Sequence, residues 1–208
     1  METTTFDRKK HWETIYQTKQ LTEVSWYQPK PETSLSFIKE ANLAKDVAII
    51  DIGGGDSFLV DNLLALGYTN ITVLDISEAA VNRAKNRLGG KADSVTWIVA
   101  DVATFVPEQT YALWHDRAAF HFLTSAEEIE QYKKTAAKAL QDGGYMIIGT
   151  FSENGPLKCS GIEIRQYAAK DLEAVFNQDF SAVSCQNLDH QTPFNTVQNF
   201  TFCLFEKK

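Results

Sequence analysis

The stretch Val47-Ala-Ile-Ile-Asp-Ile-Gly-Gly-Gly-Asp-Ser57 constrains the fold of this chain more than any other. An unbroken apolar run that ends in an acid suits a parallel strand buried on both faces. The glycines that follow permit a tight turn and let a ligand lie against bare backbone. Phe58 to Leu66 then carries helical periodicity, so the segment reads as strand, turn and helix. Such a loop occurs in several kinds of nucleotide binder, and the acids further along decide between them.

Asp75 closes a second apolar run, Ile71-Thr-Val-Leu-Asp75, 20 residues after Gly55. An acid there can accept both hydroxyls of a ribose, as in dinucleotide-binding folds. Asp101 closes a third run, Val95-Thr-Trp-Ile-Val-Ala-Asp101, within reach of an adenine's exocyclic amine. Three strands ending in Asp, with glycines after the first, form a site for an adenosine bearing a polar tail. A nicotinamide fingerprint G-x-G-x-x-G counted from Gly53 puts Phe58 where a small residue must let helix and strand pack closely, which disfavours that reading.

On these residues the chain resembles the class I S-adenosylmethionine (SAM)-dependent methyltransferases. Asp51, Gly53 and Gly55 match their D-x-G-x-G motif, and Asp75 and Asp101 match the second and third motifs. The resemblance covers roughly residues 45 to 151, and the remainder by the order of its elements. Many members carry a glycine where this chain has Ser57, while Asp56-Ser57 is similar to the Asn-Ser of some elongation-factor lysine methyltransferases.

The resemblance implies that Gly53, Gly54 and Gly55 run beside the methionine part of SAM, with Asp51 holding its ammonium directly or through water. Asp75 is expected to take the ribose, and Ala100, Asp101 and Val102 to frame the adenine. Asp56, Ser57, Ile76, Ser77 and His115 are expected nearby. The implied product is S-adenosylhomocysteine (SAH).

Elsewhere the pattern alternates strand and helix, which predicts a parallel sheet covered on both faces. Ser77 reads as the cap of a helix over Glu78 to Leu88, and Ser125-Ala-Glu-Glu128 as a capping box opening a helix to Leu140. The last two strand-like stretches, Phe180 to Asn187 and Val197 to Glu206, have no helix between them and are expected to pair antiparallel. The fold class expected is α/β, a three-layer α-β-α sandwich. Its seven-stranded, mostly parallel sheet ends in a C-terminal antiparallel hairpin. One domain is expected over residues 1–208, with a helical cap over 1–45 and a Rossmann-like core over 46–208.

Within the cap, Phe6, Trp12 and Tyr16 share one side of a helix over residues 6 to 18, and Trp26 and Tyr27 follow. These aromatics either pack the cap onto the sheet or form a lid over the cofactor, similar to the N-terminal cover of thiopurine-type methyltransferases. The segment His115-Asp-Arg-Ala-Ala-Phe-His-Phe-Leu123 follows the fourth strand. It lacks the Asn/Asp-Pro-Pro-Tyr pattern used on nucleobase amines and glutamine amides. It is similar to the Asp-Lys-Gly segment of elongation-factor lysine methyltransferases, with Arg117 where their lysine lies. Asp116 is a candidate to orient an amine nucleophile, and His121 to accept its proton or simply to pack between Phe120 and Phe122. Asn154 to Gly161 is long enough to form a substrate wall, with Cys159 in it. Arg117, Trp12 and Cys159 are thus the acceptor-side candidates.

A net charge of −7 repels phosphate backbones, so no nucleic acid is expected as partner, and Arg8-Lys-Lys10 reads as a solvated helix face. Three cysteines without metal-ligand spacing point to reduced thiols in the cytoplasm and to no metal site. No apolar run reaches the roughly 18 residues that a membrane span requires, and Met1 to Lys10 lacks a leader's apolar stretch. The activity expected is methyl transfer from SAM to a small molecule or a protein lysine, by a monomer or homodimer. The alternatives are a non-catalytic SAM or nucleoside binder and, less favoured, a nicotinamide oxidoreductase.

Overall fold

A computed structural model describes residues 6–208. Met1–Thr5, the opening of the stretch expected to carry no leader, lie outside the described residues. Seven strands form one sheet in the order β3-β2-β1-β4-β5-β9-β8. Its first five strands are β1 (Ile49–Ile52), β2 (Ile71–Asp75), β3 (Val95–Val99), β4 (Tyr111–Arg117) and β5 (Leu140–Phe151). They run parallel, with Asp51 opposite Val73 on β2 and opposite His115 on β4. Every residue of β1 and β2 is buried, as expected of apolar strands covered on both faces. β8 (Phe180–Gln191) and β9 (Val197–Lys207) close the sheet antiparallel, with β9 inserted beside β5. A short hairpin outside the sheet, β6 (Lys158–Cys159) with β7 (Ile162–Glu163), was not expected from the sequence.

Helices α1 (Arg8–Thr18), α2 (Glu32–Glu40), α3 (Leu59–Ala65), α4 (Glu78–Leu88), α5 (Ala126–Ala139) and α6 (Ala169–Phe176) flank the sheet. Asp7 caps α1, and Ser77 caps α4 by accepting the Ala80 N–H. Helix α2 stops at Glu40, two residues before Asn42 turns left-handed at φ 48°. Ser125 caps α5 by accepting the Glu128 N–H, but the box is not reciprocal, since the Glu128 carboxylate pairs with Arg8. Alternation along β4 separates the two cores. Trp114 joins the cluster under α5 and α6, while Leu113 joins the one under α2 and α3.

Two expectations need correction. Cys185 and Cys203 are opposite one another on β8 and β9 and form a disulfide, so two of the three expected thiols are bonded. An 18-residue spacing carries no sign of this until strand pairing sets the register. Asp101 does not end a strand either. β3 stops at Val99, and Asp101 lies in the following turn, where its Oδ1 accepts the Ala103 N–H. Among the described residues no helix is long and apolar enough to cross a membrane.

Candidate functional site

A cavity opens at the carboxyl ends of β1, β2, β3 and β4, with about 120 Å³ accessible to the centres of water molecules. One end lies among Ala100, Asp101 and Val102; the middle passes Asp75, Ile76, Gly53 and Gly54; the other end reaches Arg117, Phe151, Cys159, Gln198 and Phe200. This is the position at which open α/β sheets receive ligands, since strand order reverses between β1 and β4.

Asp51 is the centre of its polar floor. The carboxylate is buried, and its Oδ1 is 2.7 Å from His115 Nδ1, whose Nε2 is 2.9 Å from Ser34 Oγ on α2. The strand register sets this pairing, because Asp51 and His115 are direct neighbours on β1 and β4. Oδ2, in contrast, is buried with no hydrogen-bond partner. An unpartnered buried carboxylate oxygen is costly unless a cation or donor arrives to meet it. Gly54 makes this arrangement fit: a Cβ there would fall 2.3 Å from Asp51 Oδ2. Gly53 stands at φ +64°, so its turn favours glycine as well.

Asp75 is held differently. Its Oδ2 accepts the Gly55 N–H at 3.0 Å and its Oδ1 accepts the Ser77 N–H at 2.8 Å. Two fixed amides aim the carboxylate, and each oxygen keeps a lone pair for a hydroxyl. Burial nonetheless pushes its pKa up to about 6. Asp101 lies at the mouth, with its Oδ2 3.3 Å from Arg8 Nη1. Arg8 also pairs with Glu128, so the basic start of α1 is a tie across the mouth and not the solvated face expected. Glu13 adds a second tie by accepting the Ser77 hydroxyl and the Ala79 N–H at the start of α4.

The cap aromatics divide. Trp12 and Trp26 line the cavity and meet edge to face at 5.7 Å, with Trp12 also 5.1 Å from Phe122. Tyr27 does not line it; its ring turns to Phe58, 5.8 Å away. Gly55, Asp56 and Ser77 likewise lie behind the lining. Gly55 and Ser77 give their amides to Asp75, while Asp56 pairs with Arg83 and Arg87.

The two catalytic candidates need firmer correction. Asp116 is fully buried on the opposite face of β4, with Oδ1 accepting the Ala119 and Phe120 N–H groups and Oδ2 accepting the Tyr132 hydroxyl. Those bonds close its coordination within the protein, so it shapes the turn after β4 and does not line the cavity. His121 is fully buried beside Phe122 and Phe151, and its Nδ1 accepts the Phe151 N–H. Burial first, and the Arg117 charge second, lower its pKa to about 3, which removes it as a proton acceptor near neutrality. Cys159 does line the cavity, but burial raises its thiol to about 11, far from a thiolate nucleophile.

Arg8, Ser25, Gln198 and Phe200 also line the cavity and were missed in the sequence. No local signal marks Gln198 or Phe200; they arrive because β9 inserts beside β5 and sets Phe200 against Phe151.

Comparisons with known proteins bear on the fold and the family. Residues 49–144 match the family model described as a methyltransferase domain. The chain is 24% identical over 146 residues to the eEF1A lysine and N-terminal methyltransferase of Mus musculus, covering 67% of this chain and 21% of that protein. It is 25% identical over 107 residues to malonyl-[acyl-carrier protein] O-methyltransferase 2 of Ilyobacter polytropus, covering 51% of this chain and 40% of the other. Both relatives are thus much longer than the part matched. The N-methyltransferase NodS of Bradyrhizobium japonicum, solved with SAH, superposes at TM-score 0.71 and 14% identity, over 97% of this chain and 99% of that one. At that identity the superposition shows the fold.

Residues 49–144 thus resemble a methyltransferase domain, and the fold is that of the class I SAM-dependent methyltransferases. The residues present suit the cofactor, since an orphaned acid beside close-packed glycines is what an ammonium on a nucleoside tail needs.

Proposed function

We propose that this chain transfers the methyl group of SAM to a small molecule held at the inner end of the cavity. The adenosine end of the cofactor would lie between Ala100, Asp101 and Val102, with Asp75 taking the ribose hydroxyls. Gly53 and Gly54 would border the methionine part, and Asp51 Oδ2 would accept its ammonium. The observation that carries the reading is this last oxygen, buried and unpartnered on the cavity floor. When bound, the cofactor supplies an activated methyl on a sulfonium sulfur for in-line displacement by an acceptor lone pair.

The chain's own residues then act mainly by position. His115 and Ser34 fix the Asp51 carboxylate, so that it arrives aimed. Trp12, Trp26 and Phe122 exclude water from the reacting end, and Arg8 and Glu13 hold α1 over it. Such positioning and exclusion can supply roughly 7–11 kcal/mol of the barrier. With Asp116 and His121 both enclosed by the protein, no side chain is assigned as a general base, which suits an acceptor already deprotonated at working pH.

A protein-lysine acceptor draws on the relationship to the Mus musculus enzyme. The aromatic cap and the arginine at the cavity's inner end favour a small molecule instead. Calorimetric titration with SAH, SAM and NAD tests the cofactor reading: SAH and SAM should bind, and NAD binding tighter than both would overturn it. Incubation with labelled SAM and a metabolite panel separates an enzyme from a binding module, since the enzyme reading requires label on some acceptor.

A further inference from the structure

Arg117 ends β4 on the same face as His115, and its guanidinium reaches back toward the N-terminal cap. Nη1 donates to the Trp26 carbonyl at 3.1 Å, and the fork stands 5.4 Å from the Phe200 ring centroid. Nη2 is buried and meets no acceptor. Among the described residues, Arg8, Arg83 and Arg87 each pair with a carboxylate and Arg165 is exposed, whereas Arg117 has no carboxylate partner. Of the acids lining the same cavity, Asp51 is the one whose charge acts on Arg117, yet its carboxylate pairs with His115 and not with the guanidinium.

A guanidinium taken from water without a counter-ion costs several kcal/mol, and burial lowers the pKa of this one to about 10. That cost is recovered when a ligand brings the missing negative charge, and a planar fork suits a carboxylate. Place on the sheet decides which ligand. The cofactor course runs over β3, β2 and β1, whereas Phe151 and Phe200 lie on β5 and β9, beyond β4. There the walls are Phe122, Phe151 and Phe200, with Gln198 and Ser25 as the neutral polar groups.

We infer that Arg117 receives the carboxylate of the methyl acceptor, which makes the substrate a small, apolar or aromatic organic acid and not an amine such as a lysine side chain. This rests on the cofactor placement proposed above. A cationic acceptor would meet a guanidinium whose neighbouring acid, Asp51, is already engaged by His115 and, in the reading above, by the cofactor's ammonium, while an acid restores neutrality.

The test is calorimetric and uses the full chain. SAH is titrated first into wild type, R117Q and R117K, and should bind all three within about threefold. Benzoate, benzamide and benzylamine are then titrated into each SAH complex. Benzoate should bind the wild-type complex about tenfold or more tighter than the other two, R117Q should lose that preference, and R117K should keep part of it. If R117Q fails to fold, the wild-type and R117K series still decide.

Equal or tighter binding of benzamide or benzylamine would overturn the inference, as would no binding of benzoate. A loss of about tenfold or more in SAH affinity in R117Q would assign the guanidinium to the cofactor's own carboxylate and overturn it too. Failure of SAH to bind wild type would instead remove the cofactor reading beneath it, and the inference with it.

Discussion

Asp51 and Asp116 are buried acids on adjacent strands, and they have opposite fates. Asp116 spends both oxygens inside the protein, on two backbone amides and the Tyr132 hydroxyl, which in turn accepts the Trp114 indole N–H. Asp51 spends one oxygen on His115 and leaves the other bare at the cavity. The face of β4 turned to α5 is therefore a closed hydrogen-bond network. The face turned to α2 carries His115 and Arg117 and keeps open valences, Asp51 Oδ2 and Arg117 Nη2. A protein can stabilise itself with the first kind of group, whereas charged groups of the second kind, facing a cavity, are suited to a ligand. Burial and charge do not separate the two; incomplete bonding at the cavity wall does.

The sharpest way to break this contrast is to exchange roles by mutation. Asp51→Asn should reduce SAH affinity roughly hundredfold, in keeping with a charged hydrogen bond of about 3 kcal/mol, while thermal stability changes little because an amide oxygen still meets His115. Asp116→Ala should do the reverse, costing about 3 kcal/mol of folding stability with SAH affinity within about threefold, because it orphans the Tyr132 hydroxyl and two amides. Calorimetry and denaturant unfolding read the two quantities separately, and parallel losses in both variants would erase the distinction.

A smaller effect is expected from Gly54→Ala, about tenfold in SAH affinity, because the new Cβ drives against an Asp51 carboxylate that His115 prevents from yielding. Unchanged binding would show that the carboxylate moves freely. The pH dependence is milder still. Burial raises both Asp75 and Asp116 to about 6 from the ordinary 3.8. Between those values the folded chain holds protons that the unfolded chain has released, so these two groups make stability fall as pH rises through that window. SAH binding should run the other way, weakening a few-fold as pH drops below about 6 and Asp75 loses its capacity to accept two hydroxyls. SAH affinity that is flat from pH 7 to pH 5 would place the ribose elsewhere. Least of all, Arg8→Ala should weaken SAH by about threefold, since it loosens a partly exposed tie at the mouth.

Much of the fold was legible because buried parallel strands advertise themselves. Ile71–Asp75 and the Ser77-capped α4 were placed to the residue, and the terminal hairpin followed from two strand-like runs with no helix between them. The floor of the site was legible for the same reason, since motif glycines and strand-end acids are local. What escaped was fixed by register and side-chain direction. Asp116 and His115 are consecutive, and only the pleat sends one to α5 and the other to Asp51. His121 drew attention through its ordinary pKa, which burial abolishes. The Cys185–Cys203 bond and the entry of Phe200 into the cavity both await the pairing of β9, whose partners are distant in sequence.

The pairing of Asp51 with the cofactor's amine is best measured as a double-mutant cycle. SAH and its deaminated analogue, which lacks only the α-amine, are titrated into wild type and Asp51→Asn. Wild type should prefer SAH by about tenfold or more, and Asp51→Asn should bind the two ligands alike. The same preference in both proteins would mean that the bare oxygen on the cavity floor does not hold the amine.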